Sequence, residues 1–145
     1  MNVAKAMTRR GASRLVIAAL YAAAGMLHLG WPAPFVSIVP PWVPFAPQVV
    51  ALTGLAELAG AAGLLQARSE TIRIAAAWGL AAYALCVWPA NVQHMLLDHA
   101  RPGGGLGPVY HLPRLALQPV LIWWPLWAGG VIAWPFRNTN RKDPP

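Results

Sequence analysis

Ile74-Ala-Ala-Ala-Trp-Gly-Leu-Ala-Ala-Tyr-Ala-Leu-Cys-Val-Trp-Pro-Ala-Asn-Val92 carries no charged residue, and that stretch decides what kind of protein this is. A bilayer's hydrocarbon core needs roughly 20 mostly apolar residues, at about 1.5 Å each, and this run supplies them. In lipid it must be helical, because an open strand would leave backbone groups without partners. From Ile74 to Trp88 it is apolar all the way round, whereas a core helix of a soluble bundle keeps a polar face.

Three further runs share its character. Leu15–Trp31 is interrupted only by His28, Pro47–Ala67 has Glu57 as its single charge, and Leu115–Phe136 has Gln118 as its one strongly polar side chain. The spans are therefore placed at about 15–31, 47–67, 74–92 and 115–136 in a single transmembrane domain over 1–145. The expected fold class is all-α, an integral membrane four-helix bundle. Composition agrees: 57% of residues are hydrophobic and 10% charged, where a soluble domain carries about 25% charged residues. One Cys excludes an intrachain disulfide, a CxxC redox motif and a cysteine zinc site. A cleavable signal peptide is the rival reading of the first run, with Arg9–Arg10 and Arg14 before it and small residues at Ala22–Ala24. Cleavage would discard His28, which belongs with the polar set described below.

Orientation follows from the basic residues. With the amino terminus cytoplasmic, Lys5, Arg9, Arg10, Arg14, Arg68, Arg73, Arg137, Arg141 and Lys142 lie inside and only Arg101 and Arg114 outside. The positive-inside rule then places both termini in the cytoplasm and the chain as multi-pass in the cell's inner (plasma) membrane. The net charge of +7 is split among short flanks, which suits anionic lipid and gives no groove for nucleic acid. The link after the first span, from Trp31 through Pro40-Pro41-Trp42-Val43-Pro44 to Pro47, is uncharged and Pro/Trp-rich. It is expected as a cap at the outer surface or folded back over the bundle. The second outer link, Asn91–His111, is expected to be mobile at Gly103-Gly104-Gly105.

Charged groups inside a membrane are costly and usually face the bundle interior. His28 sits roughly 21 Å above Arg14, and Glu57 roughly 15 Å below Pro47, at helical rise. Asn91 and His94 are i, i+3 on the third span; Arg114 and Gln118 are i, i+4 at the start of the fourth. Tyr21, Gly25 and His28 share a face of the first. Every span thus brings a polar side chain to the outer half of the bilayer. The expected ligand site is Tyr21, His28, Glu57, Asn91, His94, Arg114 and Gln118, with Arg114 and Glu57 paired directly or through His28 or Gln118. A small polar or anionic molecule, or a quinone head group, would fit such a set. Gly54, Gly60 and Gly63 suit close helix contact. His94, Asp98 and His99, with His28, Glu57 and Met95, contain metal-ligating types but no recognised spacing, so no metal is assigned; His99 and His111 are read as solvated loop histidines.

Five segments resemble the DoxX-like membrane proteins: Tyr21-Ala-Ala-Ala-Gly25-Met-Leu-His28, Pro40-Pro41-Trp42-Val43-Pro44, Thr53-Gly54-Leu55-Ala56-Glu57-Leu58, Trp88-Pro89-Ala90-Asn91-Val92 and Arg114-Leu115-Ala116-Leu117-Gln118-Pro119. They fall in the family's order over about residues 14–135. The resemblance implies a four-helix membrane bundle and a redox association, relatives including a quinone-linked thiosulfate-oxidising subunit and partners of periplasmic redox enzymes. It also implies polar positions at His28, Glu57, Asn91, Arg114 and Gln118. Without a Cys pair, dithiol electron transfer is not expected. Two functions follow as expectations. One is a redox-associated subunit binding a quinone or small oxidisable molecule; the other is a non-catalytic accessory subunit docking a membrane or periplasmic partner. Small-residue faces also make a homo-oligomer compatible with the sequence.

Overall fold

The computed structural model describes residues 3–135, with side chains from residue 9 onward. The side chain of Lys5, and Phe136, Arg137, Arg141 and Lys142, lie outside the described residues. Among those described, regular structure is helical throughout: α1 (Val3–Gly30), α2 (Ala33–Val36), α3 (Ala46–Leu65), α4 (Glu70–Ala100), α5 (Gly107–Ala116) and α6 (Gln118–Gly129). Three helices are long and apolar enough to cross a membrane, over Arg9–Gly30, Ala46–Leu65 and Glu70–Ala100. Leu15, Val16, Met26, Leu52, Leu55, Trp78 and Leu85 are all more than one-third exposed, as side chains facing lipid tails would be.

Helix α3 follows the sequence expectation within two residues at each end. Pro47 lies in its first turn, where a missing N–H costs nothing. Helix α4 does not stop at Val92. Ser69 caps its start by accepting from Ile72 N at 3.3 Å, and Pro89 sits inside the helix, which runs on to Ala100. The expected link Asn91–His111 therefore shrinks to residues 101–106. The fourth expected span is divided as well. Pro119 has no N–H to return to Leu115, so α5 ends at Ala116 and α6 begins at Gln118. Leu117 between them stays right-handed helical (φ −75°, ψ −14°), which keeps the two pieces joined. Helix α6 ends at Gly129. Gly130 takes φ 91°, and Val131 N reaches back to Leu126 O at 2.9 Å.

Helix α1 packs on α3, α3 on α4, α4 on α6 and α6 on α1, a closed cycle, with α5 lying along α4. Small residues set the approach. A Cβ on Gly25 would fall 2.8 Å from the carbonyl oxygen of Gly54, and one on Gly63 would fall 2.6 Å from Ala76 Cβ. A Cβ on Gly60 would strike the end of Leu80. At one end of the cycle Ile17, Leu64, Ala77, Leu80, Trp127 and Ala128 form the apolar core. The buried polar residues Glu57, Asn91, Asp98, His111 and Gln118 are absent from that cluster and lie toward the other end.

Candidate functional site

Above the apolar plug the helices part around a cavity of about 280 Å³. Its wall is built by helical periodicity. Tyr21, Ala24 and His28 come from one face of α1, and Tyr83, Ala84, Val87 and Asn91 from one face of α4. Arg114, Gln118, Leu121 and Pro125 keep a common face across the α5–α6 joint, and α3 brings Glu57. Helix α2 folds back over this end, and Phe35 stacks on the His28 ring with centroids 3.8 Å apart and planes 28° from parallel. The Pro/Trp-rich link is thus a lid, while its Trp31, Trp42 and Phe45 stay 66%, 71% and 74% exposed.

Six of the seven expected site residues line this one cavity: Tyr21, His28, Glu57, Asn91, Arg114 and Gln118. Each has its own bonding. His28 Nδ1 lies 2.9 Å from Ala24 O and 2.8 Å from Glu57 Oε2. One hydrogen cannot serve both lines. It points at the carbonyl, so the carboxylate contact is close and electrostatic rather than aligned, and Glu57 Oε2 lacks a directed donor. Tyr83 turns its hydroxyl toward Glu57 and meets the Tyr21 ring edge-on at 5.9 Å. Asn91 Nδ2 donates to Gln118 Oε1 at 3.1 Å, and Gln118 Nε2 donates to the Ala84 carbonyl. That carbonyl lies five residues before Pro89, so Gln118 ties α6 to α4 as well as lining the cavity.

The pairing expected between Arg114 and Glu57 does not form. Arg114 Nη1 instead donates to His94 Nδ1 at 2.9 Å, and its guanidinium stands 5.8 Å over the Tyr110 ring. His94, the seventh expected residue, is behind the cavity wall and touches the site only through Arg114. Beyond it lies a cluster that the sequence reading did not assemble. Asp98, 1% exposed, accepts from Leu106 N at 3.1 Å, His111 Nε2 at 3.0 Å and Arg101 Nη1 at 2.8 Å. His111 is therefore no solvated loop residue: it is 2% exposed, on α5, with its ring 4.9 Å from that of His94. His99 is exposed, as expected, but on the last turn of α4 rather than in a loop.

Ligand atoms of His94, Asp98 and His111 lie within 4.8 Å of one another, close enough for a metal ion. The hydrogen bonds run against it. An arginine can only donate, so His94 Nδ1 accepts and Nε2 carries the proton. A metal-ligating histidine does the opposite, donating its second nitrogen to a carboxylate or carbonyl. Asp98 here serves as a hub that ties the end of α4 to α5 and thereby positions Arg114.

The description "Domain of unknown function (DUF8561)" belongs to a family that matches residues 17–129. The chain belongs to that family. The matched segment runs from Ile17 in the apolar core to Gly129 at the end of α6, so it takes in every residue on the cavity wall. No curated protein and no solved structure matches this member.

Proposed function

We propose that this family member is a multi-pass inner-membrane protein of four crossings, with both termini cytoplasmic, whose cavity opens toward the outer leaflet and receives a quinone head group or another small polar molecule. Helix α6 alone, at 12 residues, rises only about 18 Å. Joined to α5 through Leu117 it would supply the fourth crossing, and the closed packing cycle supports a four-helix bundle. The basic residues near the α3–α4 turn, against Arg101 and Arg114 at the cavity end, support the orientation. After Cys86→Ser, a cysteine placed at position 41 should then react with an impermeant thiol reagent on intact cells, and one at position 67 only after permeabilisation. The reverse pattern would invert the topology.

One observation carries the ligand reading: seven polar side chains, Tyr83 among them, from every long helix of the cycle, converge on one apolar-walled cavity. His28, Glu57 and Tyr83 form a donor–acceptor group able to hold and pass a proton. Arg114 and Asn91 offer N–H groups to a ligand oxygen, and Tyr21 and Trp124 offer ring surface. The DoxX-like kinship and redox association belong to this proposal; the order of the five resembling segments along the cavity-forming helices supports them. The purified chain in nanodiscs should quench its tryptophan emission saturably on titration with decylubiquinone, since Trp124 lines the cavity. Glu57→Gln should weaken that binding about tenfold, the effect of one altered charge-assisted contact. Identical affinities for wild type, Glu57→Gln and His28→Ala would overturn the reading.

A further inference from the structure

Among the described residues, two arginines meet an acid: Arg73 pairs with Glu70 at 3.3 Å and Arg101 with Asp98 at 2.8 Å. Arg114 is half-buried on the cavity wall and forms no ion pair with any described residue. Its contacts are a neutral imidazole nitrogen and a phenol ring. Glu57, the one acid on the same wall, is engaged by His28 at 2.8 Å. A guanidinium has five donors, of which one is committed to His94. The remainder of the wall is largely Ile17, Leu20, Phe35, Val87 and Leu121. A cation held in such surroundings is costly until an anion joins it.

We infer that the ligand of this cavity is a singly charged oxyanion on a small apolar body, clamped through its oxygens by Arg114. The inference rests on reading the cavity as a ligand site and narrows its occupant from any small polar molecule to an anionic one. The planar fork of a guanidinium matches two oxygens of a carboxylate or a phosphodiester side by side. Glu57 on the same wall repels a second negative charge, which sets the limit at one. A cavity of about 280 Å³ accepts an apolar body no larger than a substituted ring. Two sources provide the oxyanion, a free organic acid that enters whole and the phosphate of an anionic lipid whose acyl chains stay in the surrounding bilayer.

The test is a titration of the full chain, in phosphatidylcholine nanodiscs at constant ionic strength, with sodium benzoate, read by tryptophan emission. Saturable binding is expected. Arg114→Gln should weaken it by about 30-fold or more, the usual consequence of removing one partner of a desolvated charge pair. Arg114→Lys should restore part of it and shows that the fold survives without the native side chain. Arg68→Gln, which removes an exposed charge that makes no side-chain contact, should change nothing. If phosphatidylglycerol in the nanodisc suppresses benzoate binding competitively, and only when position 114 is cationic, the lipid phosphate is the natural occupant. Benzoate binding that Arg114→Gln leaves intact overturns the inference. So does the absence of any Arg114-dependent effect of benzoate or phosphatidylglycerol while decylubiquinone still binds, and the cavity then remains a ligand site. If decylubiquinone fails as well, both readings fall.

Discussion

Asp98→Ala should destabilise the protein by about 1–3 kcal/mol, the cost of leaving the buried His111 imidazole and the Leu106 N–H without their acceptor. Three donors converge on this carboxylate from three different places: the side chain of Arg101, the backbone of Leu106 and the ring of His111, which is itself 2% exposed. The turn between α4 and α5 is shaped around it. Gly105 holds φ 56°, and a Cβ there would lie 2.4 Å from Asp98 Cγ. Removing the carboxylate therefore frees residues 101–112 together. Amide hydrogen exchange over that segment should accelerate by orders of magnitude, while exchange in α3 changes little. Asp98→Asn keeps the shape but turns one acceptor into a donor facing other donors, so it should fall between wild type and alanine. Ligand affinity should drop in both variants although Asp98 never touches the cavity, because Arg114 lies one turn beyond His111 on α5. Unchanged exchange in residues 101–112 would show that the hub does not hold α5.

The helices α1, α3 and α4 were legible because hydropathy is a long-range average, and a run of twenty apolar residues survives local noise. Their ends were less so. Asn91, His94 and Asp98 lower the hydropathy of the α4 sequence and suggest that the helix stops. They are in fact helical because their polar groups meet one another, α5 and α6, which no single-segment average can register. The prolines act in two ways. Pro89 stays inside α4, while Pro119 falls where α5 gives way to α6. The difference lies in position: Pro119 sits in the first turn of α6, where a missing N–H costs nothing.

Depth arithmetic located most of the polar residues on the cavity wall, since a polar residue's height along a membrane helix follows directly from its distance in sequence. Pairing did not follow from height. Opposite charge suggested Arg114 with Glu57, yet His28 on the packed neighbour α1 reaches Glu57, and His94, one turn beyond Asn91, meets Arg114 on the face that α5 covers. Tyr83 and Phe35 were invisible for another reason. An aromatic residue in an apolar run reads the same whether it faces lipid or a cavity. Three consecutive glycines concealed the Asp98 hub, because they look like slack; here Gly105 is the residue that lets the turn close over a buried carboxylate.

The closest approach of α1 and α3 predicts a second large effect, and one that separates packing from chemistry. A Cβ on Gly25 would lie 2.8 Å from the Gly54 carbonyl oxygen and 3.2 Å from Glu57 Cβ; one on Gly54 would lie 2.9 Å from His28 Cβ and 3.1 Å from the Gly25 carbonyl oxygen. Backbone oxygens cannot rotate out of the way as a leucine tip can, so the helices must separate. Gly25→Val should cost about 1–3 kcal/mol, as overpacking generally does, measured by denaturant titration in detergent. His28 and Glu57 follow Gly25 and Gly54 by three residues each, so the same separation lengthens the 2.8 Å contact between them. Ligand binding should weaken along with stability. Gly54→Ala added to Gly25→Val should cost clearly less than the sum of the two, since the first substitution has already opened the gap that the second needs. Gly79 supplies the contrast: nothing lies within 4 Å of a Cβ there, and Gly79→Ala should stabilise α4 by roughly 0.5–1 kcal/mol through helix propensity alone. If Gly25→Val and Gly79→Ala behaved alike, the small residues would be passive composition, and the α1–α3 contact would not be what brings His28 to Glu57.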